Sequence, residues 1–216
     1  MLTLLEAMAP TGKPVPSAVR PHMNPLTHAL LGWTLAQVVP LTRRDRALVT
    51  LAGVVPDIDG LGVVAELLTR DRAHPLLWWS EYHHVLAHNL GGALVVTIAV
   101  IYLAHRRWVG AALACTSFHL HLLGDLVGGR GPDGYQWPIS YLAPFSAAWH
   151  LTWSGQWALN PWPNILLTLL LLALACFFAW QRGYSPLELV SVRVDQHFVE
   201  ALRARFGGAH LPLRKL

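Results

Sequence analysis

Residues 164–180 read NILLTLLLLALACFFAW, with no charged side chain anywhere in the run. A stretch that long and that apolar has few homes. A bilayer core takes roughly 20 helical residues to cross, and only a helix or a closed barrel satisfies its backbone there. Further apolar stretches cover residues 26–39, 47–55, 84–104 and 109–127. Composition points the same way: charged residues are 13% of the chain and hydrophobic ones 54%, with a mean hydropathy of +0.40. Soluble domains carry about 25% charged residues. The expected fold is all-α, a polytopic helical membrane bundle with about five hydrophobic segments, three to five of them spanning.

The net charge of +4 and pI of about 9.4 would fit a nucleic-acid surface or a membrane protein. The placement of the arginines decides between them. With alternating passes, Arg43, Arg44, Arg46, Arg106, Arg107 and Arg182 share one side with the basic tail, and the other side keeps Arg70, Arg72 and Arg130. That asymmetry is the positive-inside pattern, with the basic loops in the cytoplasm. The partner it implies is the lipid bilayer; no nucleic acid is expected. Residues 1–22 lack the basic and apolar regions of a signal peptide and read as a disordered extension. The membrane domain is expected over 23–184, beginning MNPLTHALLG, and 185–216 as an amphipathic basic tail. Cys115 and Cys176 both sit in apolar runs and read as free thiols.

Ligand-type residues gather at one end of these segments. Thr27-His28 opens the first, and PDID, with Asp57 and Asp59, closes the second. YHHVLAHN, with His83, His84 and His88, opens the third, and HLLGD, with His121 and Asp125, closes the fourth. Under the alternating topology all four ends face away from the cytoplasm. His121 and Asp125 are four apart and share a helical face, whereas His119 is roughly 200° away from His121 and is expected to face elsewhere. Taken singly, each motif is equally a turn, a cap or a hydrogen-bonded pair. Together they are costly, because ionisable groups in membrane segments cost about 2.5–3.5 kcal/mol each on insertion scales. A divalent cation offsets that cost. Mixed imidazole and carboxylate donors suit zinc, manganese or iron. The number of candidate ligands fits one or two ions, and a pair bridged by an Asp uses them best.

The ordered set MNPLTHALLG, PDID, HH followed by AHN, and HLLGD with a downstream WP resembles the LexA-regulated, membrane-bound, predicted metal-dependent hydrolases. The likeness covers residues 23–138. Two departures stand out. His84-Val85 replaces the Arg-Gly of the family's His-Arg-Gly-x-Thr-His-Ser run, and Ala87-His88-Asn89 replaces its Thr-His-Ser. A more distant similarity is to the zinc-dependent phospholipase C and nuclease group. The resemblance implies His28, Asp57, Asp59, His83, His88, His121 and Asp125 as metal ligands, with His84 a neighbour.

The expectation that follows is an integral-membrane hydrolase, with zinc the first choice of metal. Metal-activated water would attack a phosphoester or ester near the membrane surface. Whichever of Asp57 and Asp59 is the looser ligand would act as general base. The expected location is the bacterial inner membrane, with the site on the non-cytoplasmic side. Trp137, Trp149, Trp153, Trp157 and Trp162 read as interfacial anchors, and a lipid-linked substrate would suit that depth. The competing expectation is a non-enzymatic metal-binding membrane protein or a transporter.

Overall fold

The computed structural model describes residues 25–83, 86–130, 136, 138–146, 148–157 and 162–207. The N-terminal extension, His84 and Trp137 fall outside them. The chain folds as α1 (Pro25–Leu35), α2 (Arg43–Ala52), a 3-10 turn (Val55–Leu61), α3 (Gly62–Thr69), α4 (Trp78–Tyr82), α5 (Leu90–Leu103) and α6 (Arg107–Gly128). After an irregular connection come α7 (Trp162–Arg182), a second 3-10 turn (Pro186–Leu189) and α8 (Val192–Phe206). Among the described residues there is no strand beyond the isolated bridge between Ile139 and Leu151. The all-α expectation holds.

Helix α6 is the axis, packed against α5, α2 and α1, and α7 closes the far side of α1. The approach is close because small residues line it. A Cβ on Gly32 would lie 2.7 Å from the Ser117 hydroxyl, and one on Gly53 would lie 2.6 Å from it. Without a hydrophobic drive between helices in lipid, such contacts hold the bundle through backbone proximity and dispersion. Thr27 and Thr168 add a hydroxyl–hydroxyl hydrogen bond of 2.7 Å between α1 and α7.

Among the described residues, fewer helices can cross a membrane than the about five expected. By length and apolarity α6 and α7 qualify, and α2 with residues Val55–Thr69 forms a third span only if their 53° bend is taken as one crossing. Helix α1 has 11 residues and α5 has 14, about 16 and 21 Å at 1.5 Å per residue, short of a core of about 30 Å. The apolar run over 84–104 promised more, but Asn89 stops it early: its side chain accepts a 2.8 Å hydrogen bond from the Gly92 amide and caps α5. The histidine-rich stretch before it is therefore outside the helix. Helix α3 lies in a stretch that the alternating topology treats as a loop.

The arginine-rich end is locked by a buried ion pair. Arg46 Nε donates to Glu188 Oε1 at 2.6 Å, its Nη1 donates to the Leu41 carbonyl at 2.7 Å, and its guanidinium lies 3.8 Å from the centre of the Tyr184 ring. Asp45 accepts from the amides of His105 and Arg106, tying α2 to the α5–α6 turn. Residues 185–207 are held against this end, where Asp195 accepts from the Ser185 amide at 2.7 Å. Of the tryptophans read as anchors, Trp149, Trp153 and Trp162 are exposed, while Trp157 donates to Asn164 Oδ1 at 2.8 Å. Removing one partner of a buried pair strands the other charge, at about 3–5 kcal/mol. Glu188→Ala should therefore lower the thermal unfolding midpoint in detergent markedly. Arg70→Ala, from an exposed pair with Asp71, should leave that midpoint unchanged.

Candidate metal centre

The packing of α1 on α6 determines what meets at their far ends. His28 lies one turn before Gly32 and His121 one turn after Ser117, so the close contact brings their rings into a stack with centroids 3.7 Å apart. Asp125, one further turn along α6, reaches back. Its Oδ2 is 2.9 Å from His121 Nε2 and 3.3 Å from His88 Nε2, and its Oδ1 is 3.3 Å from His28 Nε2. His119 turns away and meets the Cys115 carbonyl and the Tyr141 hydroxyl.

The 3-10 turn separates the two carboxylates of PDID. With three residues per turn, positions two apart point about 120° from each other. Asp57 accordingly faces His121 (Oδ1 to Nε2, 3.7 Å), whereas Asp59 faces the other way, 2.7 Å from His83 Nδ1 and 3.0 Å from His88 Nδ1. The Ala87 amide also donates to Asp59 Oδ2. Two glycines let this turn come so close. A Cβ on Gly60 would press on the His83 ring, and one on Gly62 would lie 2.8 Å from the backbone of Trp78 and Trp79. Trp79 stacks on His83, with centroids 5.5 Å apart.

All seven residues that the resemblance implies as ligands thus lie in one cluster, buried except for the partly exposed Asp57 and drawn from α1, the 3-10 turn, the segment between α4 and α5, and α6. Among the described residues there are three sets in each of which the donor atoms lie within 4.8 Å of one another: His28, Asp57 and His121; His88, His121 and Asp125; and Asp59, His83 and His88. The residues shared between sets are His88 and His121, and no carboxylate is shared. Two participants are invisible at the level of side-chain motifs. The Gly53 carbonyl accepts from His121 Nδ1 at 2.9 Å, and the Ala87 amide serves Asp59; both are main-chain groups.

These partners assign the lone pairs. Because a carbonyl only accepts, His121 Nδ1 carries hydrogen and Nε2 turns its lone pair toward Asp125, Asp57 and His88, whose own Nε2 is 3.1 Å away. His88 directs Nδ1 at Asp59 and Nε2 at the same point. Burial opposes a charge on His88, but the carboxylates of Asp125 and Asp59 outweigh it and raise its pKa to about 9. A metal entering here displaces that proton. His28 has no hydrogen bond of good geometry at either nitrogen, and neither does Asp57 Oδ2, although all three atoms are buried. Orphaned donors of this kind around facing lone pairs fit a divalent cation.

The geometry ranks the residues. His121→Ala and Asp125→Ala should each abolish stoichiometric zinc binding, measured by elemental analysis of the purified protein. Asp59→Asn should weaken it by about 10–100-fold, the usual effect of losing a carboxylate that orients a ligating histidine. His119→Ala should bind as the wild type does. Equal loss in all four variants would contradict this arrangement.

The model of the YdjM inner membrane protein family matches residues 23–192. No curated protein and no solved structure matches the chain. The family match and the apolar helices place the protein in the inner membrane, in keeping with the membrane-bound part of the resemblance. They carry neither regulation by LexA nor hydrolase activity. This chain, with its His and Asp cluster at one end of the α1–α6 pair, belongs to the YdjM inner membrane protein family.

Proposed function

We propose that the protein is an integral-membrane, metal-dependent hydrolase of phosphoester or ester bonds. The observation that carries this reading is the pair of donor sets that meet at His121, one with His28 and Asp57 and the other with His88 and Asp125, where the His28 nitrogens and Asp57 Oδ2 have no hydrogen bond. His28, His88, His121 and Asp125 would hold the ion, zinc being the first choice for such donors and manganese or iron the alternatives. When bound, the ion supplies Lewis acidity and brings the pKa of a coordinated water down toward 7.

The two PDID carboxylates take different roles. The Asp59 side chain is 2% exposed and fully engaged with His83, His88 and the Ala87 amide, so it orients His88. Asp57 is the more open, at 14% side-chain exposure, with one oxygen free of partners. That leaves Asp57 as the general base, able to take a proton from the attacking water and return it to the leaving group.

Depth and side also support a membrane hydrolase. At about 1.5 Å per residue, His121 stands about 21 Å along α6 from Arg107. The arginines at the starts of α2 and α6 and the end of α7 lie at the opposite end of the bundle from the cluster. By the positive-inside pattern the centre is on the non-cytoplasmic side.

One observation favours a second reading. Asp57 and Asp59 lie at the 53° break between α2 and α3, and broken helices are where transporters bind ions. Two assays separate the readings. With zinc-loaded protein and p-nitrophenyl phosphate diesters or esters, Asp57→Asn should retain the metal yet lower kcat by about 10²–10⁴, the usual contribution of a general base. Zinc accumulation in sealed vesicles without any hydrolysis would instead establish transport.

A further inference from the structure

Beside the centre, the 3-10 turn and α3 face α4 and residues 86–87 across a cleft of about 490 Å³. Its walls are Ile58, Gly62, Trp78, Tyr82, Leu86 and Ala87, and Asp59 lies at its floor. That volume is within the range of ligand sites, roughly 300–1,000 Å³. The walls carry no cation and no amide side chain. The floor offers little to a polar ligand, since Asp59 is occupied by His83, His88 and the Ala87 amide. What the cleft presents is apolar surface: Ile58, Trp78 and Leu86 are each about half exposed along it.

Two features set this cleft apart from ordinary lipid-facing surface. It is a recess rather than a helix face, with one wall set where Gly62 lets α3 approach the Trp78–Trp79 backbone so closely that any Cβ would collide. It also adjoins the centre through Asp59, which lines it and is the carboxylate that meets His88. The outward leucines of α7, such as Leu166, Leu169 and Leu170, are equally exposed but belong to one regular helix remote from the cluster sequence. A ligand lying in the cleft has its apolar length against Ile58, Trp78 and Leu86 and its end at the 3-10 turn.

We propose that this cleft holds one hydrocarbon chain of an amphiphilic substrate, with the polar end of that substrate at the 3-10 turn that carries Asp57 and Asp59. The assignment rests on the hydrolase reading for what happens to the head group, and on the cleft alone for where the chain lies. It makes the α3–α4 segment, rather than the tryptophan-rich connection before α7, the part of the protein that selects a lipid.

The test uses the full chain in lipid nanodiscs containing a small fraction of palmitic acid with a terminal diazirine. After irradiation, adducts are mapped by mass spectrometry and zinc is measured in the same samples. Adducts per residue at Ile58, Gly62, Trp78, Tyr82, Leu86 and Ala87 should exceed those on Leu166, Leu169 and Leu170 by about tenfold, a preference of about 1.4 kcal/mol. Leu86→Trp and Ile58→Trp, which fill the cleft, should bring the enrichment down to the level of α7 and leave bound zinc unchanged. Equal labelling of cleft and α7 in the wild type would mean bilayer contact only and would overturn the proposal, whether or not either variant folds. Zinc-free wild-type protein with an enriched cleft would sink the hydrolase reading and keep the chain site. Zinc-bound protein with uniform labelling would sink the chain site alone.

Discussion

The contact of Gly32 on α1 and Gly53 after α2 with Ser117 on α6 governs the rest of the molecule. A larger side chain at either glycine would push against the Ser117 hydroxyl. One helical turn from that contact, His28 stacks on His121, and the Gly53 carbonyl fixes the tautomer of His121. Metal-ligand geometry tolerates only a few tenths of an ångström. Three small residues thus set both how tightly the bundle packs and whether its donors can converge.

The cluster is expensive to bury without an ion. Carboxylates and imidazoles removed from water lose several kcal/mol each unless paired. The protein pairs some of them internally: Asp125 meets three histidines, and Asp59 meets two. Within the cluster, both His28 nitrogens and Asp57 Oδ2 are buried without a hydrogen bond. The other buried polar assembly, Arg46 with Glu188 and Tyr184, is satisfied by its own partners and reads as structural. The contrast between a closed network at the arginine-rich end and an open one at the far end is the physical basis for placing chemistry at the far end.

Much of this was legible in the sequence. The i, i+4 spacing of His121 and Asp125 predicts their shared face, and the same spacing arithmetic turns His119 away, as observed. The gathering of His28, Asp57, Asp59, His83 and His88 followed from segment ends alone. Other features were hidden for identifiable reasons. Hydropathy marks apolar runs but not where a cap such as Asn89 starts the helix, so α5 is shorter than its run and fewer helices can cross a membrane than expected. The division of labour between Asp57 and Asp59 depends on a 3-10 rather than an α-helical or extended turn, which the four letters PDID do not encode. The cleft needs α3 and α4 to face each other across Gly62, a tertiary fact. Main-chain partners such as the Gly53 carbonyl leave no trace in side-chain chemistry.

The His and Asp cluster is proposed as a metal centre built from imidazole nitrogens and carboxylate oxygens. Zinc-edge X-ray absorption on the purified full-length protein tests it most directly. Bound zinc should show about three imidazole ligands at roughly 2.0–2.1 Å, oxygen for the remainder, and no sulfur. Protein that retains no zinc, manganese or iron after purification in metal-supplemented buffer would contradict it, as would a spectrum dominated by sulfur ligands.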